Sequence, residues 1–211
     1  MKKAVQFILG LVIIGLIYVV ATLIHTPLSF EQQLESRNAE VIVKLKDIRS
    51  AQRAYKSKYQ QFTGDFDTLI NFILNDSLEM ERKLVDEDDS VALAQLKRAG
   101  KKNIEKYNIA VVDTIFSPRK LTKEQIQDLR YIPHAGQMQF ILEAGKVMTG
   151  SNVEVPVVEC RAPYKVYLDT IEFRQNVINL IDDRVNNFNE YAGLKFGSME
   201  GSNNEAGNWG E

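Results

Sequence analysis

The chain has 211 residues, 26 Lys and Arg against 28 Asp and Glu, 45% hydrophobic residues, one Cys and one Trp. That length accommodates one ordinary domain, or a domain with an anchor, and excludes two large domains. A formal net charge of -2 excludes a globally basic nucleic-acid binder, and 12 Gly, 5 Pro and one Cys exclude collagen-like, low-complexity and disulfide-rich chains.

Much of the apolar mass lies at the start. Residues 4–24 carry no charge, and Gln6 is their only strongly polar member. At about 1.5 Å per residue the run spans about 30 Å, the thickness of a hydrocarbon core. Lys2 and Lys3 precede it, Glu31 and Glu35 follow it, and the next basic residue is Arg37. The positive-inside rule then leaves residues 1–3 as a cytoplasmic tail and sets residues 4–25 as a single transmembrane helix in the inner membrane. The remainder is sent into the periplasm, with Tyr18 and His25 suited to the outer interface. A cleaved signal peptide is the rival reading. The run exceeds an h-region of roughly 7–15 residues, and residues 22–27 lack a small-x-small cleavage site. A buried core helix would need apolar partners on every side, more than so small a domain supplies.

Pro27 marks a kink or break, after which Ser29 caps a new helix with Gln32 three residues on. From Phe30 to Tyr59 there is no Gly or Pro, and the spacing predicts an amphipathic membrane-proximal helix over 29–60. Leu34, Val41, Ile48 and Tyr55 form an apolar row seven apart. Asn38, Leu45, Gln52 and Tyr59 form a half-polar offset row. The pattern fits a coiled coil with Asn38 fixing register, or one helix laid on its own domain; two polar positions and the short length favour the second. Lys44, Lys46, Arg49, Arg53, Lys56 and Lys58 form either a solvated face or a surface for acids, of which residues 76–89 offer seven.

Residues 61–197 read as a periplasmic α+β domain with a small, mostly antiparallel sheet and short helices. Asp65 caps a helix from Phe66 to about Leu74, with Leu69, Ile70, Phe72 and Ile73 buried. Residues 86–90 resemble a calcium loop only superficially, since Val91 stands where an EF-hand needs Gly and Lys97 where it needs Glu. Their acids instead favour the dipole of a helix that Gly100 ends. Asn108 to Phe116 reads as a strand, and Leu121 to Leu129 as a short helix capped by Thr122. Met138–Thr149 and Val153–Arg161 read as a hairpin turning at 150–152, with Pro156 placing the second strand at an edge or bulge. Glu172–Asn187 reads as a helix presenting Phe173, Val177, Leu180, Ile181, Val185 and Phe188. Residues 198–211 read as a mobile tail with Trp209 as its only anchor.

No catalytic motif is legible. Cys160 is the lone thiol, and His134 is the one base beyond the membrane edge that it could use. No Cys-protease signature surrounds it, and two His with one Cys make no convincing zinc site. No catalytic residue, metal or cofactor is therefore assigned, and the expected role is non-enzymatic. One tripeptide recurs: Asp, Ser or Thr, then an aliphatic residue, at Thr68, Ser77, Ser90, Thr114 and Thr170. Composition gives roughly one such match in a chain this long. The pattern is similar to the acceptor signal of the general O-glycosylation system of Bacteroidota. Capping and turn formation by Asp and Ser or Thr is the alternative.

A membrane helix, a proline, an amphipathic helix and then a small sheet resemble type IV pilins and pseudopilins. The run from Ala51 to Ile70, in which a tyrosine-ended helix leads through Gly64 to Asp67, is similar to a pseudopilin segment. The chain departs from pilins in two respects. No Gly-Phe-Thr-Leu-Ile-Glu processing signal precedes the apolar run, and no Glu lies inside it. A second resemblance rests on residues 49–55, 153–157, Ala162-Pro163-Tyr164, 193–198 and Gly207-Asn208-Trp209, which look like an uncharacterised envelope family of Bacteroidota. Together these imply a structural or interaction subunit of an envelope assembly. It would contact other envelope proteins or itself through the 30–59 helix, with Leu34, Asn38, Val41, Leu45 and Ile48 as the surface and no nucleic acid as partner. A pseudopilin-like subunit of a secretion or pilus-type system is the first alternative, and a periplasmic enzyme with a dispersed carboxylate site the second.

Overall fold

The computed structural model describes residues 2–86, 88–117 and 119–210, leaving aside the side chains of residues 2–5, 7 and 21–24. Met1, Glu87 and Glu211, which the sequence reading includes, lie outside the described residues. The fold is α+β, as expected: a long N-terminal helix, small antiparallel sheets and short helices.

Helix α1 runs from Lys2 to Tyr59 without interruption and contains Pro27. This corrects the expected break into segments 4–25 and 29–60. Proline deletes one amide donor, leaving a carbonyl one turn earlier without its helical partner. Ser29 starts no new helix; its hydroxyl donates back to the His25 carbonyl at 2.8 Å, inside the same helix. The N-terminal part is exposed and apolar, with the large apolar side chains from Ile8 to Val20 about half to three-quarters exposed, and is long and apolar enough to cross a membrane.

From Phe30 onward the same helix enters the domain. Val41, Leu45, Ile48 and Ala51 are wholly buried, at the three- and four-residue spacing of one helix face. This face packs on β5 (Gly193–Gly197), α2 (Phe66–Asn75) and α4 (Val111–Phe116). The main sheet is antiparallel in the order β3 (Ile141–Met148), β4 (Glu154–Pro163), β5. The β3–β4 hairpin turns at 150–152 as expected, with Asn152 in the left-handed region. β5 pairs with β4 only over Glu159–Pro163, so at Pro156 β4 has no partner on that side. There the missing amide costs no ladder bond. At Gly197, φ is +77° and an added Cβ would lie 1.9 Å from the Val158 carbonyl oxygen, so only glycine closes β5 against β4.

Asp65 caps α2 by accepting from Thr68 N, and Phe66, Leu69, Ile70, Phe72 and Ile73 are buried as the pattern requires. A separate two-stranded ribbon follows, β1 (Ser77–Lys83) paired with β2 (Ile104–Ala110), with α3 (Ser90–Arg98) between them. Asp89 caps α3 and Gly100, at φ +66°, follows its end. The expected strand over 108–116 is corrected. β2 ends at Ala110, where Val111 N donates to the Asp76 carbonyl, and Val111–Phe116 turns into α4 with Val111 and Phe116 buried. Thr122 and Gln125 form a capping box on α5 (Lys123–Gln127). After α6 (Tyr164–Tyr167) comes α7 (Arg174–Asp182), which buries Phe173 and Val177 and continues as a π turn over Asp183–Asn187. Val185 and Phe188 are 46% and 59% exposed. The wider turn rotates them off the face on which they were expected.

Truncating the central residue, Ile48→Ala, removes buried methyl groups under a sheet and two helices. It should cost about 2–4 kcal/mol of stability, read as a lowered thermal midpoint of the full chain in detergent.

Candidate interaction surfaces

The five residues expected to form an intermolecular surface face the domain instead. Val41, Leu45 and Ile48 have no exposed area, and Leu34 packs half-buried against the same core. Asn38 accepts from the Tyr167 hydroxyl at 2.7 Å, so it fixes a tertiary contact rather than a coiled-coil register. Gln52, also wholly buried, donates to the Thr63 carbonyl at 2.6 Å and accepts from Thr63 N at 3.2 Å. The two polar positions of the offset row are thus explained within the chain. A buried amide with both ends bonded replaces its lost water contacts.

The basic face of α1 meets residues 76–89 at Lys58. Lys58 reaches Asp76 and the Ser77 carbonyl. The Lys58 ammonium first, and the Tyr59 hydroxyl second, hold the Asp76 carboxyl at about 2. Lys44 donates to the carbonyls of Asp128 and Tyr131, and burial lowers its pKa. Glu205 is an acidic partner of this face: Arg53 lies 3.0 Å and Lys56 3.7 Å from its carboxylate.

That contact corrects the expected mobile tail over 198–211. Gly197 N donates to the Ala206 carbonyl, Asn208 N donates to the Lys195 carbonyl, and Phe196 bridges Gly207. The Asn208 side chain accepts from Lys195 N at 2.9 Å and donates to the Gly193 carbonyl at 2.9 Å. Trp209 packs against the core with the Arg49 guanidinium over its ring. Asn204 and Glu205 both adopt positive φ, which orients the strap across α1. Trp209 was legible as an anchor. Glu205 was not, since no local pattern marks a partner 152 residues away.

Among the modification candidates, Thr68, Ser90, Thr114 and Thr170 are exposed and Ser77 is half-buried in β1. The acid of the motif does turn or cap work at three of them: Asp76 accepts from Ser77 N, Asp89 from Ala92 N, and Asp169 from the amides of Ile171 and Glu172. Ile171, beside Thr170, is 94% exposed.

Cys160 is wholly buried in β4, where loss of solvent pushes its thiol up. His134 lies elsewhere, 3.0 Å from Glu40 on the exposed side of α1. The pair is not brought together. Among the described residues no group of three His, Cys, Asp or Glu is arranged to hold a metal ion. A cleft of about 240 Å³ is lined by Tyr55 and Tyr59 of α1, Thr68, Asn71, Phe72 and Asn75 of α2, and Asp76.

No protein family, curated protein or solved structure matches this chain.

Glu205→Gln should free the strap without unfolding the domain. Amides of Ala206 and Asn208 should exchange faster, while the thermal midpoint falls by about 2–4 °C, corresponding to about 1 kcal/mol.

Proposed function

We propose that this protein is a single-pass, membrane-anchored interaction subunit of an envelope assembly, whose domain sits outside the cytoplasm and does no catalysis of its own. The observation that carries the reading is the continuity of α1. One helix holds both the exposed apolar stretch and the buried face at Val41, Leu45, Ile48 and Ala51. A domain whose core contains the end of a membrane helix cannot swivel freely on it. Such coupling sets the height and orientation of a docking surface, a geometry suited to assembly. The charge asymmetry of Lys2 and Lys3 against Glu31 and Glu35 supports the orientation. A pseudopilin-like role is the second reading. It is favoured by a helix that protrudes over its first half and packs on an antiparallel sheet over its second.

A flexible Gly-Ser insert after Thr26 tests the coupling. The chain should still insert and fold, and a reporter fused to its C-terminus should be active only outside the cytoplasm. Recovery of co-purifying proteins from native membranes should fall about tenfold relative to the uninterrupted chain. Undiminished recovery would refute the coupling, and a reporter active in the cytoplasm would refute the orientation.

The recurrent Asp-Ser/Thr-aliphatic sites extend this reading to modification of an exported domain, with Thr170 as the acceptor. Intact-mass measurement of protein from native membranes should show an excess over the chain mass that Thr170→Ala reduces. An unmodified mass would assign all five motifs to caps and turns.

A further inference from the structure

The excursion from Ser77 to Ala110 contributes little to the domain that carries it. Every position of β1 and β2 is exposed except Ser77, Leu78 and Ile109, which are half-buried, and α3 buries no residue at all. A two-stranded ribbon is marginal in water without a third layer. The segment nevertheless has well-formed ends, with Asp89 capping α3 and the Asn103 side chain bonded both ways to the Val85 backbone.

α3 has a defined outward stripe. Val91, Ala94, Gln95 and Arg98 are exposed and lie on one face, at positions i, i+3, i+4 and i+7, with Val91 68% exposed. Asp86 and Asp88 lie just before the helix, and Lys101 and Lys102 just after it. The side chains of Asp88, Arg98 and Lys101 make no ion pair among the described residues. One end of the stripe is therefore acidic, the other basic, and the middle small and neutral.

Place in the fold narrows what can cover it. The base of the ribbon is held at Asp76 by Lys58 and Tyr59, the last residues of α1. Roughly 50 Å of helix separates that point from residue 25. The bilayer that holds the anchor is out of reach. A stripe with opposite charges at its two ends is complementary to itself run backwards, and a two-fold axis produces that arrangement. Centred between Ala94 and Gln95, such an axis sets Asp88 of each copy against Lys101 of the other. It also lays the Arg98 stem over Val91, and the small side chain at 94 lets the two backbones approach.

We propose that α3 is a self-pairing helix, through which two copies of this chain join at the membrane-distal end of their domains. The inference rests on the reading of the protein as an interaction subunit and names a second copy as one partner.

The test uses the full chain in lipid nanodiscs with Ala94→Cys as the reporter, the native Cys160 being buried and silent. Mild oxidation should yield a disulfide-linked dimer. Asp86→Lys with Asp88→Lys should lower its yield about tenfold, and Lys101→Glu with Lys102→Glu should do the same, because like charges then face each other at both ends. Mixing the two charge-altered chains should restore the yield, as each acidic end again meets a basic one. Thermal unfolding of the core should not change, since α3 buries no residue, and rescue on mixing separates restored pairing from the helix-dipole stabilisation of α3 that the charge reversals remove. Absence of a dimer in the parent, undiminished dimer in the charge-altered chains, or no rescue on mixing would each overturn the proposal. None of those outcomes bears on the tethered-subunit reading, which stands or falls on the Gly-Ser insert.

Discussion

The structure depends on the burial of one face of α1. Val41, Leu45, Ile48 and Ala51 are completely enclosed, and β5, α2 and α4 all pack on the helix that carries them. Remove that face and the sheet has lost one of its covers, while α2 has lost a helix it packs on. Hydrophobic burial of this kind is non-directional. What gives it a unique register here is the polar set along the same helix: Asn38 with Tyr167, Gln52 with the Thr63 backbone, and Arg37 with the Tyr167 carbonyl at 2.5 Å. A helix rotated by one position would bury those groups without partners, at a cost comparable to the burial it gains.

An apolar stretch long enough to cross a membrane and the folding core are consequently joined in a single element. The span that can cross a bilayer and the span that organises the domain belong to one helix, and Pro27 between them leaves it continuous. The Ser29 hydroxyl accompanies the proline by bonding the His25 carbonyl one turn back. The basic face further along is not spare charge. Lys44 caps two carbonyls, and Arg53 and Lys56 receive the Glu205 of the C-terminal strap. The C-terminal strap docks on the later part of α1.

What was legible in the sequence was what is decided locally. Asp65, Asp89 and Thr122 cap their helices, Gly100 follows the end of one, and the turn at 150–152 closes its hairpin, because each depends on neighbours within a few residues. The apolar period on α1 was equally plain, but its meaning was not. A seven-residue row with two polar members fits a coiled coil and a core helix alike. The contacts that decide the matter come from Thr63 and from Tyr167, 129 residues from Asn38. Val111 to Phe116 has the β-branched composition of a strand, yet its amide is taken by Asp76 and its apolar side chains by the core, so tertiary context overrides propensity. The strap failed for the same reason. Its Gly and Asn content suggests disorder, and its anchors lie on β5 and α1.

The central claim is that the helix passes through Pro27 unbroken. Amide hydrogen exchange of the full chain in nanodiscs, read at residues 30–32, tests it most directly. A continuous α1 gives these amides carbonyl partners one turn earlier and predicts slow exchange comparable to that of residues 41–48. A helix restarting at Ser29 would leave those donors in its unsatisfied first turn. Fast exchange confined to residues 30–32, with residues 41–48 still protected, would contradict the account.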